Sequence, residues 1–152
     1  MERIHFSIKI NATKKTVWNA MLEQDSYRAW TEVFGPGSHY IGDWRTGGKM
    51  LFLAPGKEGG MSGMVSIIRE NRPFERLSIE HVGFVQDGKE DTTSEAAKSW
   101  AGALENYTFK ETNRTTEVLV EMDTVEEHKE MFQNTWPKAL LKLKDLAERT
   151  KK

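Results

Sequence analysis

The feature that most constrains this chain lies at its end. From Val125 onward, Phe132, Trp136, Leu140, Leu143 and Ala147 fall on one helical stripe. Glu126 and Glu127 stand at its start and Arg149, Lys151 and Lys152 near its end, the charge order that a helix dipole favours. No other stretch has comparable helical length. Pro137 interrupts the stripe, so either a kink or a short preceding turn with the main helix beginning there is expected.

Most of the remainder reads as strand. Ile4, Phe6, Ile8 and Ile10 alternate with His5, Ser7 and Lys9, the period of a half-buried strand over Arg3 to Ile10. Thr13 can cap a helix carrying Val17, Trp18, Met21 and Leu22, and Asp25-Ser26 opens a second short one with Tyr27, Trp30 and Phe34. Gly35-Pro36-Gly37 stops it. Turn signals at Gly47-Gly48, Pro55-Gly56, Asn71-Arg72-Pro73, Asp87-Gly88 and Asn113-Arg114 then separate short β-rich runs. These predict strands at about His39–Trp44, Lys49–Ala54, Ser62–Glu70, Glu75–Val85, Trp100–Glu111 and Thr115–Asp123. With the first strand they make a seven-stranded antiparallel sheet. The polar stretch between Gln86 and Ser99 reads as a flap, with a short capped helical turn at Ser94-Glu95-Ala96-Ala97-Lys98.

The fold class is therefore α+β: a curved sheet, two short helices after the first strand, and one long helix across the concave face. Residues 1–152 are expected to form a single domain. One helix is narrow for so wide a sheet, and a twisted sheet curves, so the space between them invites a pocket. Strand parity points Met50, Phe52, Val65, Ile79, His81, Tyr107, Val118 and Val120 toward that helix. Trp30 from the helix pair and Trp136 and Leu140 from the terminal helix complete the expected binding set. The Met and aromatic residues, Met61, Met64 and Met122 included, suit either a soft ligand-binding lining or an ordinary core. Trp44 and Trp100, at strand ends, either gate an opening or seal a sheet edge.

Composition removes several function classes. Lys and Arg total 22 against 23 Asp and Glu, so no basic field exists to gather nucleic acid. Without Cys there is no disulfide, thiolate nucleophile or Cys-based metal site. The N-terminus lacks an apolar h-region, and no apolar run approaches the roughly 20 residues of a membrane helix. A soluble, cytoplasmic protein is expected. His5, His39, His81 and His128 are scattered, Asp87, Glu90 and Asp91 lack calcium-loop spacing, and Gly42 to Lys49 fails the phosphate-loop pattern. No metal or cofactor is implied.

Several segments look familiar together: Ile8-Lys9-Ile10-Asn11-Ala12-Thr13 into Val17-Trp18, Trp30, and Arg45-Thr46-Gly47-Gly48-Lys49. Gly63-Met64-Val65, Asn71-Arg72-Pro73-Phe74-Glu75-Arg76-Leu77 and Trp136-Pro137-Lys138-Ala139-Leu140 follow in order. Over essentially its whole length the chain resembles the SRPBCC, or START-like, helix-grip superfamily. Within it, the chain is similar to bacterial single-domain relatives of the activator of heat-shock protein 90 ATPase. The resemblance implies a cavity for a lipid, sterol, aromatic polyketide or phenolic compound. It also implies two alternatives: an enzyme of the cyclase or hydrolase type using the same cavity, or a module that binds a chaperone or another protein. The eukaryotic activator carries a further N-terminal domain for which this chain has no room, which favours the small-molecule reading over chaperone activation.

Were the protein an enzyme, the inward acid-base groups would be His81, Glu105 and Tyr107. His81 shares a face with Leu77 and Ile79, and is either a proton shuttle or a buried histidine satisfied by a neighbour. Glu105 shares parity with Tyr107 and Phe109; it either enters the pocket, where burial would raise its pKa, or sits at the rim.

Overall fold

The computed structural model describes residues 1–56 and 60–150. Its elements are β1 (Glu2–Ile10), α1 (Lys14–Leu22), α2 (Gln24–Thr31), β2 (His39–Gly42), β3 (Lys49–Pro55) and β4 (Met61–Arg72), then β5 (Arg76–Gln86), β6 (Lys89–Asp91), α3 (Glu95–Trp100), β7 (Ala103–Thr112), β8 (Thr115–Thr124) and α4 (Glu126–Thr150). Every strand pairing among the described residues is antiparallel, in the order β1-β8-β7-β5-β4-β3-β2, so the seven expected strands form one sheet in which the first strand pairs with the last. An eighth strand joins it: β6 pairs with the last residues of β5 through the Asp87-Gly88 turn. The arrangement is the helix-grip fold, α+β, with α4 across the curved sheet.

Local chemistry explains the element ends. Thr13 accepts a hydrogen bond from the Thr16 amide at 3.3 Å and caps α1, and Ser94 does the same for α3 through Ala97 at 3.1 Å. Trp100 closes α3 instead of opening a strand; Gly102, at φ 95°, turns the chain and β7 starts at Ala103. The helical cap outweighs the β preference of a single tryptophan. α4 begins at Glu126 and runs through Pro137 as one helix, so of the two alternatives at that residue the separate preceding turn is absent. Pro137 has no N–H, and the Gln133 carbonyl accordingly lacks its i+4 donor. Lys151 and Lys152 lie outside the described residues.

The core is asymmetric along α4. Beyond Pro137, Ala139, Leu140, Leu143 and Ala147 are buried in one cluster with Ile10, Val17, Met21, Phe109 and Val118. Before Pro137 only Trp136 is buried. The C-terminal half of the helix is thus cemented to α1 and the sheet, while the N-terminal half spans the opposite end of the concave face.

One inward assignment is wrong. Val65 pairs with Leu51 and Gly83, whereas its neighbour Ser66 pairs with Met50 and His81. Met50, Ser66 and His81 therefore share the inner face, and Val65 packs on the other with Leu53 and Val85 in a separate cluster. β4 alternates regularly through Ser66 and Ile68, both inward, which leaves Val65 outward; the irregularity lies across from it in β5, where Val82 bulges without a partner in β4.

Candidate functional site

Between the sheet, α2 and the first half of α4 lies a pocket of about 480 Å³. Tyr27, Trp30 and Phe34 come from α2 and its exit, Phe52, Ile79 and Tyr107 from the sheet, and Phe132 and Trp136 from α4. All of the lining residues from α4 precede Pro137. Trp44 and Trp100 also line the pocket. Trp100 stands between Phe84 and His128, with ring centroids 6.2 and 5.7 Å away, and so joins the flap to the start of α4.

The rings are held by directed contacts as well as by packing. Trp30 Nε1 donates to the Met21 carbonyl and Trp136 Nε1 to Met122 Sδ, each at 3.0 Å. Trp136 further meets Phe34 edge-on at 5.1 Å and Tyr107 at 6.1 Å. Tyr40 donates to the Leu22 carbonyl at 2.5 Å and packs edge-on against Tyr27 at 5.0 Å. Each indole that is tied by its N–H presents a fixed ring to its surroundings.

One polar chain crosses this apolar wall. His81 Nδ1 is hydrogen-bonded to Ser66 Oγ at 2.7 Å, and His81 Nε2 to Glu105 Oε1 at 3.1 Å. Tyr107 donates its hydroxyl to Glu105 Oε2. A carboxylate only accepts, so the hydrogen between His81 and Glu105 sits on Nε2. Burial pushes the Glu105 carboxyl upward, but the hydrogen bond and charge of His81 and the Tyr107 hydroxyl outweigh it and hold the group below its ordinary value. The expected direction is therefore reversed, because the buried carboxylate is paired. Tyr107 is raised well above the ordinary tyrosine value by burial first and then by the Glu105 charge, and Tyr27 is raised for the same two reasons.

A serine, a histidine and a glutamate in series have the composition of a hydrolase triad. Ser66, however, is 0% exposed and is not part of the pocket surface, so its hydroxyl has no route to a bound carbonyl. Its role is to orient the imidazole. At the pocket's edge Asp123 is held below its ordinary value, since contacts from Arg3 and the Leu104 amide exceed the cost of its burial. Among the described residues no group of three or more His, Asp or Glu is placed to hold a metal ion, and no helix is long and apolar enough to cross a membrane.

Of the residues expected from the sequence, Trp30, Phe52, Ile79, His81, Tyr107 and Trp136 line the pocket, and Glu105 joins them. Met50, Val118, Val120 and Leu140 face the same interior but are buried in the core beneath, short of the pocket surface. Val65 is on the far face. Ser66 has no signature in the sequence, because its place beside His81 follows from the β4–β5 register, which only the assembled sheet fixes.

Residues 11–148 match the model of the family described as activator of Hsp90 ATPase homolog 1-like protein. No curated protein matches the chain. Solved structures agree on the fold at low identity. Protein MLL2253 from Mesorhizobium loti superposes with a TM-score of 0.72 at 14% identity, covering 99% of this chain and 100% of that one. An Aha1 dimer from Colwellia psychrerythraea gives 0.69 at 18% identity, with 97% of each chain covered. CalU16 from Micromonospora echinospora gives 0.64 at 20% identity, covering 95% of this chain and 75% of that one.

Proposed function

Because the chain belongs to the activator of Hsp90 ATPase homolog 1-like family, we propose that it binds a small lipophilic or aromatic molecule between the curved sheet, α2 and the first half of α4. The observation that carries this reading is the pocket itself: about 480 Å³ of space walled by aromatic and methionine side chains, several of them pinned by hydrogen bonds. Pinned walls resist collapse, so binding need not first open the space. Trp30, Phe52, Ile79, Tyr107 and Trp136 would supply contact area and His81 and Glu105 the polar orientation. Calorimetry against a small panel of lipids and polyphenols tests it. Micromolar binding with a negative heat-capacity change is expected. Absence of binding at near-millimolar concentration would overturn the reading.

Turnover in the same cavity is the second reading, and the chain from His81 through Glu105 to Tyr107 is what favours it. Glu105 and Tyr107 are poorly poised for proton transfer near neutrality, since Glu105 is held ionised and Tyr107 protonated, which leaves His81 without a second acid-base partner in this chain. A bound compound should therefore be recovered chemically unchanged by mass spectrometry. Steady conversion that disappears in His81→Gln would reverse the order of the two readings. A chaperone contact, the property after which the family is described, would engage the rim or the convex face and leave the pocket free.

A further inference from the structure

This inference rests on the pocket being a binding site and concerns the charge of what it holds. Each Glu105 oxygen accepts one hydrogen bond from the protein, Oε1 from His81 and Oε2 from Tyr107. Each therefore keeps a second acceptor position. Glu105 retains 21% of its side-chain surface and is part of the pocket wall. Around it stand aromatic rings: Tyr107 on the same strand, Trp136 6.1 Å from Tyr107, and Phe52 6.4 Å from His81.

No described lining residue is a lysine or arginine; the other charged or titratable groups there are Asp123, His81, His128, Tyr27 and Tyr107. Asp123 is answered from outside the pocket by Arg3 at 3.0 Å. Glu105 is thus a carboxylate whose protein partners leave acceptor capacity open toward the cavity. A ligand carboxylate or phosphate would lose its water beside the Glu105 charge and find no lysine or arginine, only imidazoles, of which His81 is already engaged by Glu105. An ammonium would meet both a charge-assisted acceptor and the faces of electron-rich rings.

We infer that the pocket selects an organic cation: an aromatic or alicyclic amine whose ammonium group sits on Glu105 while its apolar body fills the space between Phe52, Tyr27 and Trp136. Fatty acids and other anionic lipids belong to the excluded class.

Three probes that share one ring system separate the possibilities: 2-naphthylmethylamine, 2-naphthylmethanol and 2-naphthoate, titrated at pH 7 by calorimetry with amide chemical shifts as the map. The amine should bind about tenfold or more tightly than the alcohol, and the acid should be the weakest of the three. Glu105→Gln should erase the advantage of the amine and bring the three affinities together. If that variant does not fold, the ranking on the wild-type protein decides alone. An amine no tighter than the alcohol, or an acid equal to the amine, overturns the cation assignment and leaves the pocket reading standing. Failure of all three to shift pocket residues overturns both.

Discussion

Tyr107 stands two residues beyond Glu105 on one face of β7, and its hydroxyl donates to the Glu105 carboxylate. Strand alternation makes this contact possible, since residues two apart share a face. His81 reaches the same carboxylate diagonally from β5, where it pairs with Ala103 rather than with Glu105 itself. Ser66 on β4 extends the chain one strand further. Three adjacent strands thus contribute to one satisfied polar line within an otherwise apolar wall, and that line makes the site specific to its environment.

The Glu105 carboxyl should titrate below the ordinary glutamate value of 4.5. A group lowered in this way stabilises the fold fully above that value, and the contribution is lost as pH falls through the lower folded value. Carbon-13 NMR of the Glu105 carboxyl should show the low midpoint in the wild-type protein and a higher one in Tyr107→Phe and in His81→Gln. Urea midpoints should fall more steeply below pH 4.5 in the wild type than in Glu105→Gln. Parallel pH profiles would remove Glu105 from the account.

Substitutions on the two sides of Pro137 should act differently. Leu143 is fully buried in the core, and Leu143→Ala should cost about 2–5 kcal/mol in urea unfolding. Phe132 is half-buried at the pocket wall, and Phe132→Ala should cost about 1 kcal/mol while changing ligand affinity. Equal destabilisation by the two would contradict the division of α4 into an anchored half and a pocket-covering half.

These residues also mark where sequence reading succeeds and fails. Regular pairing runs between β1, β8 and β7, so alternation alone places Phe6, Val118, Val120 and Tyr107 inward. β4 carries apolar residues on both faces, Val65 and Ile67 on one and Ile68 on the other, and there the pattern misplaces Val65 and hides Ser66. The bulge at Val82 lies directly beside Gly83, but alternation read strand by strand takes no account of it. Which inward residues border empty space and which are packed solid is not a property of parity. Met50 and Phe52 share a face, yet only Phe52 reaches the pocket. That distinction arises from where α4 is anchored, beyond Pro137, and emerges only when the elements pack together.

Gly63 is required by the close approach of β4 to β3. A Cβ there would lie 1.7 Å from the Phe52 carbonyl oxygen, so the backbone that carries a pocket residue must move. Gly63→Ala should destabilise the protein by about 1–3 kcal/mol in urea unfolding and shift the Phe52 resonances. A variant as stable as wild type would show that the two strands yield easily at this point.

The β7–β8 turn offers a gain instead. Asn113 and Arg114 both have positive φ, 51° and 64°, the geometry of a two-residue hairpin loop that favours Asn-Gly. Arg114→Gly should stabilise the fold by about 0.4–1 kcal/mol, read as a higher urea midpoint. A lower midpoint would show that the Arg114 side chain contributes more than its backbone costs.

The most direct test of small-molecule binding in the pocket uses the methionine methyl groups as reporters. Met21, Met64 and Met122 line the pocket, whereas Met1 and Met131 are exposed elsewhere. In carbon-13 methyl-labelled protein titrated with 2-naphthylmethanol, ring-current shifts should move Met21, Met64 and Met122 in a saturable, micromolar-range manner and leave Met1 and Met131 in place. Shifts confined to Met1 and Met131, or no saturable shift at the three lining methyls, would contradict binding within the pocket.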